Sequence, residues 1–159
     1  MRYLVISDTH GHKNYLSRII RQEEEIKNII FLGDGLDDVL SFGQQNPDYE
    51  IIAVTGNCDS SKEVPAKEII SIKGYKILIC HGDGYYVKMG LLPLRKACME
   101  MKVDIALFGH THRQYYEYYD GIYTFNPGSV MPSVNPCCCY GILDFSYEKP
   151  LFYHRELQW

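Results

Sequence analysis

Six apolar runs constrain this chain more than any other feature. Tyr3 to Ile6, Ile29 to Leu32, Ile51 to Val54, Ile69 to Ile72, Ile77 to Cys80 and Ile105 to Phe108 are rich in Val, Ile and Leu and show no polar alternation. A strand with one wet face alternates apolar and polar residues, so these runs predict strands buried on both faces. Between the first three lie helical patterns: Leu16, Ile19 and Ile20, reaching toward Glu23, and a shorter set of Val39, Leu40 and Phe42. The order reads β-α-β-α-β, which predicts a parallel sheet with right-handed crossovers.

The second half has a different grammar. Lys73-Gly74 and Asp120-Gly121 each separate two strand patterns by a tight turn, so both predict hairpins. A helix is expected over Met89 to Met101, with Pro93 in its first turns and Leu92, Lys96 and Met99 only roughly in phase. The final runs, Tyr140 to Phe145 and Leu151 to Leu157, are expected to close a second, more antiparallel sheet. With 159 residues and 46% hydrophobic content, residues 1–159 are read as one domain, a two-sheet sandwich with helices outside.

Polar residues collect where the runs stop. Asp8 and His10 follow the first, Gly33-Asp34 the second, Gly56-Asn57-Cys58-Asp59 the third, His81-Gly82-Asp83 the fifth and Gly109-His110-Thr111-His112 the sixth. In sheets of this kind ligands bind at the carboxyl ends of strands, so the five motifs should converge. The side chains offered are two carboxylates, one amide and four imidazoles. That mixture suits Mn, Fe, Ni or Zn better than Ca or Mg. Seven ligands exceed the needs of one ion and suit two ions bridged by a shared carboxylate and a water. Taken singly, each motif also has a plain reading as a turn, a core histidine or a surface pair. Five such coincidences at five strand ends are hard to explain that way.

These motifs, with Asn126-Pro127-Gly128-Ser129, resemble the calcineurin-like metallophosphoesterases, and among them the small bacterial and archaeal phosphodiesterases. The resemblance runs through nearly the whole chain in the family's order. It implies an α/β (α+β) fold, a four-layer αββα sandwich of two mixed sheets flanked by helices. It also implies one metal held by Asp8, His10, Asp34 and His112 and another by Asp34, Asn57, His81 and His110, with Asp8, Asp34, Asn57 and His110 as the catalytic set. The expected cofactors are two divalent ions, Mn first with Ni, Fe or Zn as alternatives, and a hydroxide between them would attack a small phosphodiester. Two departures stand out. Many relatives carry a histidine where this chain has Cys58, and Met131-Pro132-Ser133 follows where an arginine is common.

The remaining features narrow the partners. Sixteen basic against twenty acidic residues leave a formal charge of -4, which gives no global attraction for DNA, so stable nucleic-acid binding is not expected. The start, MRYLVISDTH, lacks the form of a signal peptide, and no run is long enough to span a bilayer; a cytoplasmic location with reduced thiols is expected. Of the three consecutive cysteines, only Cys137 and Cys139 should share a face, and a structural role is expected for them. Tyr115, Tyr116, Tyr118, Tyr119 and Tyr123 are expected to pack or to form a subunit interface in a homo-oligomer. His12 and Arg113 adjoin the motifs, whereas His154 reads as a structural histidine. The alternatives to a phosphodiesterase are a phosphomonoesterase, a hydrolase of other esters, and an inactive scaffold for protein contacts such as the retromer subunit of similar fold.

Overall fold

The computed structural model of the protein describes residues 1–61, 63–131 and 137–158. Pro132 and Ser133 lie outside the described residues. The elements are β1 (Arg2–Ile6), α1 (Lys13–Gln22), β2 (Asn28–Phe31), α2 (Leu36–Gln45), β3 (Glu50–Ala53), β4 (Lys67–Ile72), β5 (Tyr75–Cys80), a 3-10 turn (Asp83–Tyr85), α3 (Leu92–Met101), β6 (Ile105–Leu107), β7 (Gln114–Tyr119), β8 (Ile122–Pro127), β9 (Cys139–Asp144) and β10 (Leu151–Glu156).

The strands form two five-stranded sheets, ordered β10-β9-β1-β2-β3 and β4-β5-β6-β8-β7. In the first, β1, β2 and β3 are parallel, β9 pairs antiparallel with β1, and β10 pairs antiparallel with β9. In the second, β5, β6 and β8 are parallel, with β4 and β7 antiparallel at the edges. Apolar residues of successive strand positions feed different cores, which is why most of the runs do not alternate; Ile69 to Ile72 departs from this, since the edge strand β4 buries Ile72 but leaves Ile69 and Ser71 exposed. Leu4 and Ile6 pack with Leu16 and Ile19 of α1, while Tyr3 and Val5 pack with Ile77 and Ile79 of the other sheet. Leu78 and Cys80 turn outward to Leu94 and Cys98 of α3. The layers are therefore helices, sheet, sheet, helix, the expected αββα sandwich.

Both tight turns are hairpins: Lys73 and Gly74 have φ of 51° and 85°, and Asp120 and Gly121 have φ of 50° and 82°. Two expectations fail. The last two strands extend the first sheet, β9 pairing with β1 along Tyr3↔Leu143 and Val5↔Gly141, and do not close the second. Antiparallel character says that a strand pairs locally, not which sheet edge takes it; the open edge of β1 does so here. The helix begins at Leu92, not Met89, with Pro93 in its first turn, and it buries Leu94 and Cys98 while Leu92 and Met99 face solvent. Gly90, at φ 141°, ends the preceding segment and delays the helix.

Candidate metal centre

The parallel strands of both sheets run the same chemistry to one place. β1, β2 and β3 deliver Asp8, Asp34 and Cys58, and β5 and β6 deliver His81 and the His110 to His112 turn. Asp8, His10, Asp34, His110 and His112 all have φ between 46° and 66°. L-residues adopt this region at a cost of roughly 1 kcal/mol or more, and Asp and His tolerate it better than most. Two glycines make the close approach of the loops feasible. A Cβ on Gly56 would overlap the Asp34 carboxylate, and one on Gly109 would overlap Ser7 Oγ.

Two groups of ligand-type atoms result. Asp8, His10 and His112 form one, and Asp34, His81 and His110 the other; within each, the ligand atoms lie within 4.8 Å of one another. Asp34 Oδ2 stands 3.2 Å from His81 Nε2 and 3.7 Å from His10 Nε2, so this carboxylate reaches both groups. His81 is fully buried and its Nδ1–H donates to Leu32 O at 2.7 Å. That bond fixes the tautomer and turns the Nε2 lone pair inward. His10 and His112 bring their Nε2 atoms to 3.3 Å of each other, and His81 Nε2 and His110 Nδ1 come to 3.2 Å.

The Asp8 carboxylate tests whether this donor set fits metal. Its Oδ2 accepts from Ser7 Oγ at 2.6 Å and from the His110 backbone N–H at 3.1 Å. Its Oδ1 is fully buried without a well-aligned donor, yet it faces Nε2 of His112 at 3.0 Å, His10 at 3.7 Å and His81 at 3.9 Å. An orphaned anionic oxygen ringed by imidazole nitrogens is the arrangement a divalent cation satisfies. Electrostatics agree. Burial alone would push the Asp8 carboxyl up, but the imidazoles of His10 and His112 that face it and the His81 charge hold it well below the ordinary range. Against burial, His81 and the Cys58 backbone hold Asp34 down at about 2. His10 is raised chiefly by the nearby Asp8 carboxylate; His81 is raised by Asp34 and Asp8 in spite of burial. Burial, then the charges of His81 and Lys88, lower His110.

Six of the seven expected ligand positions, the two aspartates and four histidines, fall in these two groups. Asn57, the seventh, follows Gly56 in the same loop; it is exposed, and its amide nitrogen donates to Cys58 Sγ at 3.3 Å. Cys58 itself enters the cluster, its Sγ forming a third group with His10 and Asp34. His12 stacks on Tyr15 and bonds Thr9 O, and His154 bonds Asn126 O at 2.8 Å while stacking on Phe125, as a structural histidine should. No disulfide forms among the described cysteines, and Cys138 and Cys139 are buried. Of the five tyrosines from Tyr115 to Tyr123, Tyr116, Tyr118 and Tyr119 face solvent.

Sequence reading assigned no task to the residues that hold the loops. Asp59 accepts four backbone N–H bonds: Asp34 and Gly56 at one oxygen, Gly35 and Leu36 at the other, all at 2.8–2.9 Å. It thereby seats Asp34 and caps α2 from a distant loop. Asn126 donates to Gly109 O at 2.8 Å and to Thr111 Oγ1 at 3.1 Å, and Ser129 Oγ donates to Asp8 O at 3.1 Å. The available signal was the polarity of short side chains at strand ends that are otherwise apolar.

Comparison with known proteins places these features in a family. "Probable metallophosphoesterase YsnB" of Bacillus subtilis is 33% identical over 146 residues, covering 90% of this chain and 83% of that protein. Phosphodiesterase MJ0936 of Methanocaldococcus jannaschii is 27% identical over 173 residues, covering 99% and 98%. Vps29 from Entamoeba histolytica, in a double-mutant crystal structure, superposes with a TM-score of 0.81 at 24% identity over 98% of this chain and 92% of its own, a likeness of fold alone. The model of the calcineurin-like phosphoesterase superfamily domain matches residues 1–148, and the chain belongs to that family.

Proposed function

We propose that the protein is a metal-dependent phosphodiesterase with a binuclear centre. The observation that carries this reading is the buried, orphaned Asp8 Oδ1 with three imidazole nitrogens facing it. Asp8, His10 and His112 would hold one ion; Asp34, His81 and His110, completed by Asn57, would hold the other, and Asp34 would be shared. When bound, two divalent ions, Mn by preference, polarise the phosphoryl oxygens and supply hydroxide at neutral pH by lowering the pKa of water from ~15.7 toward ~7.

The chain's own groups prepare that chemistry. The two buried carboxylates stay ionised across the neutral range, and His81 is locked with its lone pair inward. Cys58 occupies the position from which relatives offer a histidine to the leaving group. Burial and Asp34 push its thiol up from the ordinary value of 9.0, so it keeps its proton at neutral pH and donates it poorly. Without that histidine, a monoanionic diester is the better-suited substrate than a dianionic monoester. Two aspects rest on sequence reading: residues 1–159 as one domain and a cytoplasmic location. No helix among the described residues is long and apolar enough to cross a membrane.

Protein purified without chelator should carry close to two transition-metal ions per chain. With Mn it should cleave bis(p-nitrophenyl) phosphate faster than p-nitrophenyl phosphate, and EDTA should stop both reactions. No bound metal and no turnover of either ester would overturn the enzyme and leave the scaffold reading, which the likeness to Vps29 fits equally in fold.

A further inference from the structure

Two cavities of opposite electrical character flank the metal centre. One, of about 330 Å³, is walled by His10 and Cys58 on the cluster side and by Asp37, Asp38 and Asp59 beyond. The other, of about 500 Å³, lies against the turn that carries His110 and His112. Its body is apolar, built from Val87, Leu91, Phe108 and Tyr115, and its charged residues are Lys88 and Arg113. No carboxylate lines it. Neither cation belongs to an ion pair among the described residues, whereas Arg2, Lys27 and Arg95 each have an acidic partner. In a chain of net charge -4, this is a local reversal of sign.

We propose that the larger cavity binds one substituent of the phosphodiester, and that this substituent is nucleotide-like, with a planar body and a second phosphate held by Lys88 and Arg113. The proposal takes the scissile phosphate from the phosphodiesterase reading. Its volume falls within the ~300–1,000 Å³ usual for small organic ligands. Tyr115 is half-buried and steadied by Arg95, whose guanidinium donates to its hydroxyl at 3.3 Å, so it is the ring that can take a flat group, with the buried Phe108 behind the wall. Lys88 and Arg113 are both exposed, which suits capture of an anion that remains partly hydrated. The acid-walled cavity repels an anionic group. A diester with one charged and one uncharged arm therefore binds in one orientation, its charged arm toward Lys88 and Arg113.

The test is calorimetric binding of thymidine 3′,5′-bisphosphate and thymidine 5′-monophosphate to the Mn-loaded protein, at an ionic strength of about 0.15 M so that remote charges are screened. The bisphosphate should bind at least tenfold more tightly. Lys88→Gln and Arg113→Gln should each remove most of that ratio. Equal binding of the two nucleotides overturns the proposal. So does an equal loss of both in the variants, because the cations would then serve the scissile phosphate. Failure of the phosphodiesterase reading has a separate signature: the ratio and its loss in the variants persist while no diester is hydrolysed, and the cavity's assignment stands.

Discussion

Asp59 offers the sharpest test of how the centre is held. Asp59→Asn keeps the shape of the side chain and replaces one acceptor oxygen by an NH₂ group. Oδ2 receives Asp34 N and Gly56 N, and Oδ1 receives Gly35 N and Leu36 N. Whichever way the amide is turned, two backbone N–H donors then face another donor. An unsatisfied buried donor costs ~1–3 kcal/mol, and the partial exposure of Asp59 puts each at the lower end. Losing the negative charge at the start of α2 adds about 0.3–1 kcal/mol. The expected destabilisation is about 2–4 kcal/mol, a fall in Tm of about 5–15 °C for a chain of this size. Thermal melts of chelator-treated protein measure it without metal. A second effect should appear in metal titrations, because Asp34 loses the anchor of its own amide; outer-shell losses of this kind cost about 10–100-fold in affinity. Asp37→Asn is the control: Asp37 is exposed in the same first turn, so it shares the helix-end charge effect but seats nothing. If Asp59→Asn melted no lower than Asp37→Asn and bound metal normally, the reasoning would be refuted.

Three further outcomes are expected. Asp34→Asn should empty both metal positions together, because Asp34 Oδ2 reaches both groups; two metals retained with near-normal turnover would show that Asp34 is not shared. In metal-free protein the raised His10 and His81 stabilise below the ordinary value of 6.5 and lose that contribution as pH rises through their folded values, while Asp34 contributes above 3.8 and loses it as pH falls toward about 2. Metal needs neutral imidazoles, so the gap in Tm between loaded and EDTA-treated protein should widen from pH 5.5 to 7.5, and a gap that narrows would contradict the centre. Cys58→His should flatten a plot of log rate against leaving-group pKa for a series of diesters, since a positioned acid contributes ~10²–10⁴-fold for poor leaving groups; a native plot already flat would mean that another acid is in place.

Much of this was legible in the sequence because the chemistry sits where the pattern changes. Unalternating runs mark strands with two covered faces, the edge strand β4 excepted, and the residue types immediately beyond them make up the Asp/His groups. What stayed hidden depends on distance and on backbone angle. Nothing local in Tyr140 to Phe145 says that the open edge of β1 will take it. Nothing in Leu92 to Met101 separates the buried pair Leu94 and Cys98 from the exposed Leu92 and Met99, since both sets are apolar at helical spacing. Asp59 looks like a turn residue until four amides from two loops are seen to converge on it.

The left-handed angles explain why the loop anchors and the ligands had to come together. Glycine would relieve the strain at Asp8, His10, Asp34, His110 and His112, but glycine carries no ligand. Five positions at roughly 1 kcal/mol or more each make a cost comparable to the whole stability of a small domain, so other contacts must offset it. The bonds are there: Ser7 and the His110 amide to Asp8, Ser129 to the Asp8 carbonyl, Asp59 to the Asp34 amide, and Asn126 to the carbonyl of Gly109. Each anchors the backbone of a strained residue or of its neighbour, or the Asp8 carboxylate itself, and none uses up Asp8 Oδ1 or the inward face of His81. The scaffold therefore spends its hydrogen bonds on holding the angles and leaves the ligand atoms aimed at one another, a state that costs least when cations stand between them.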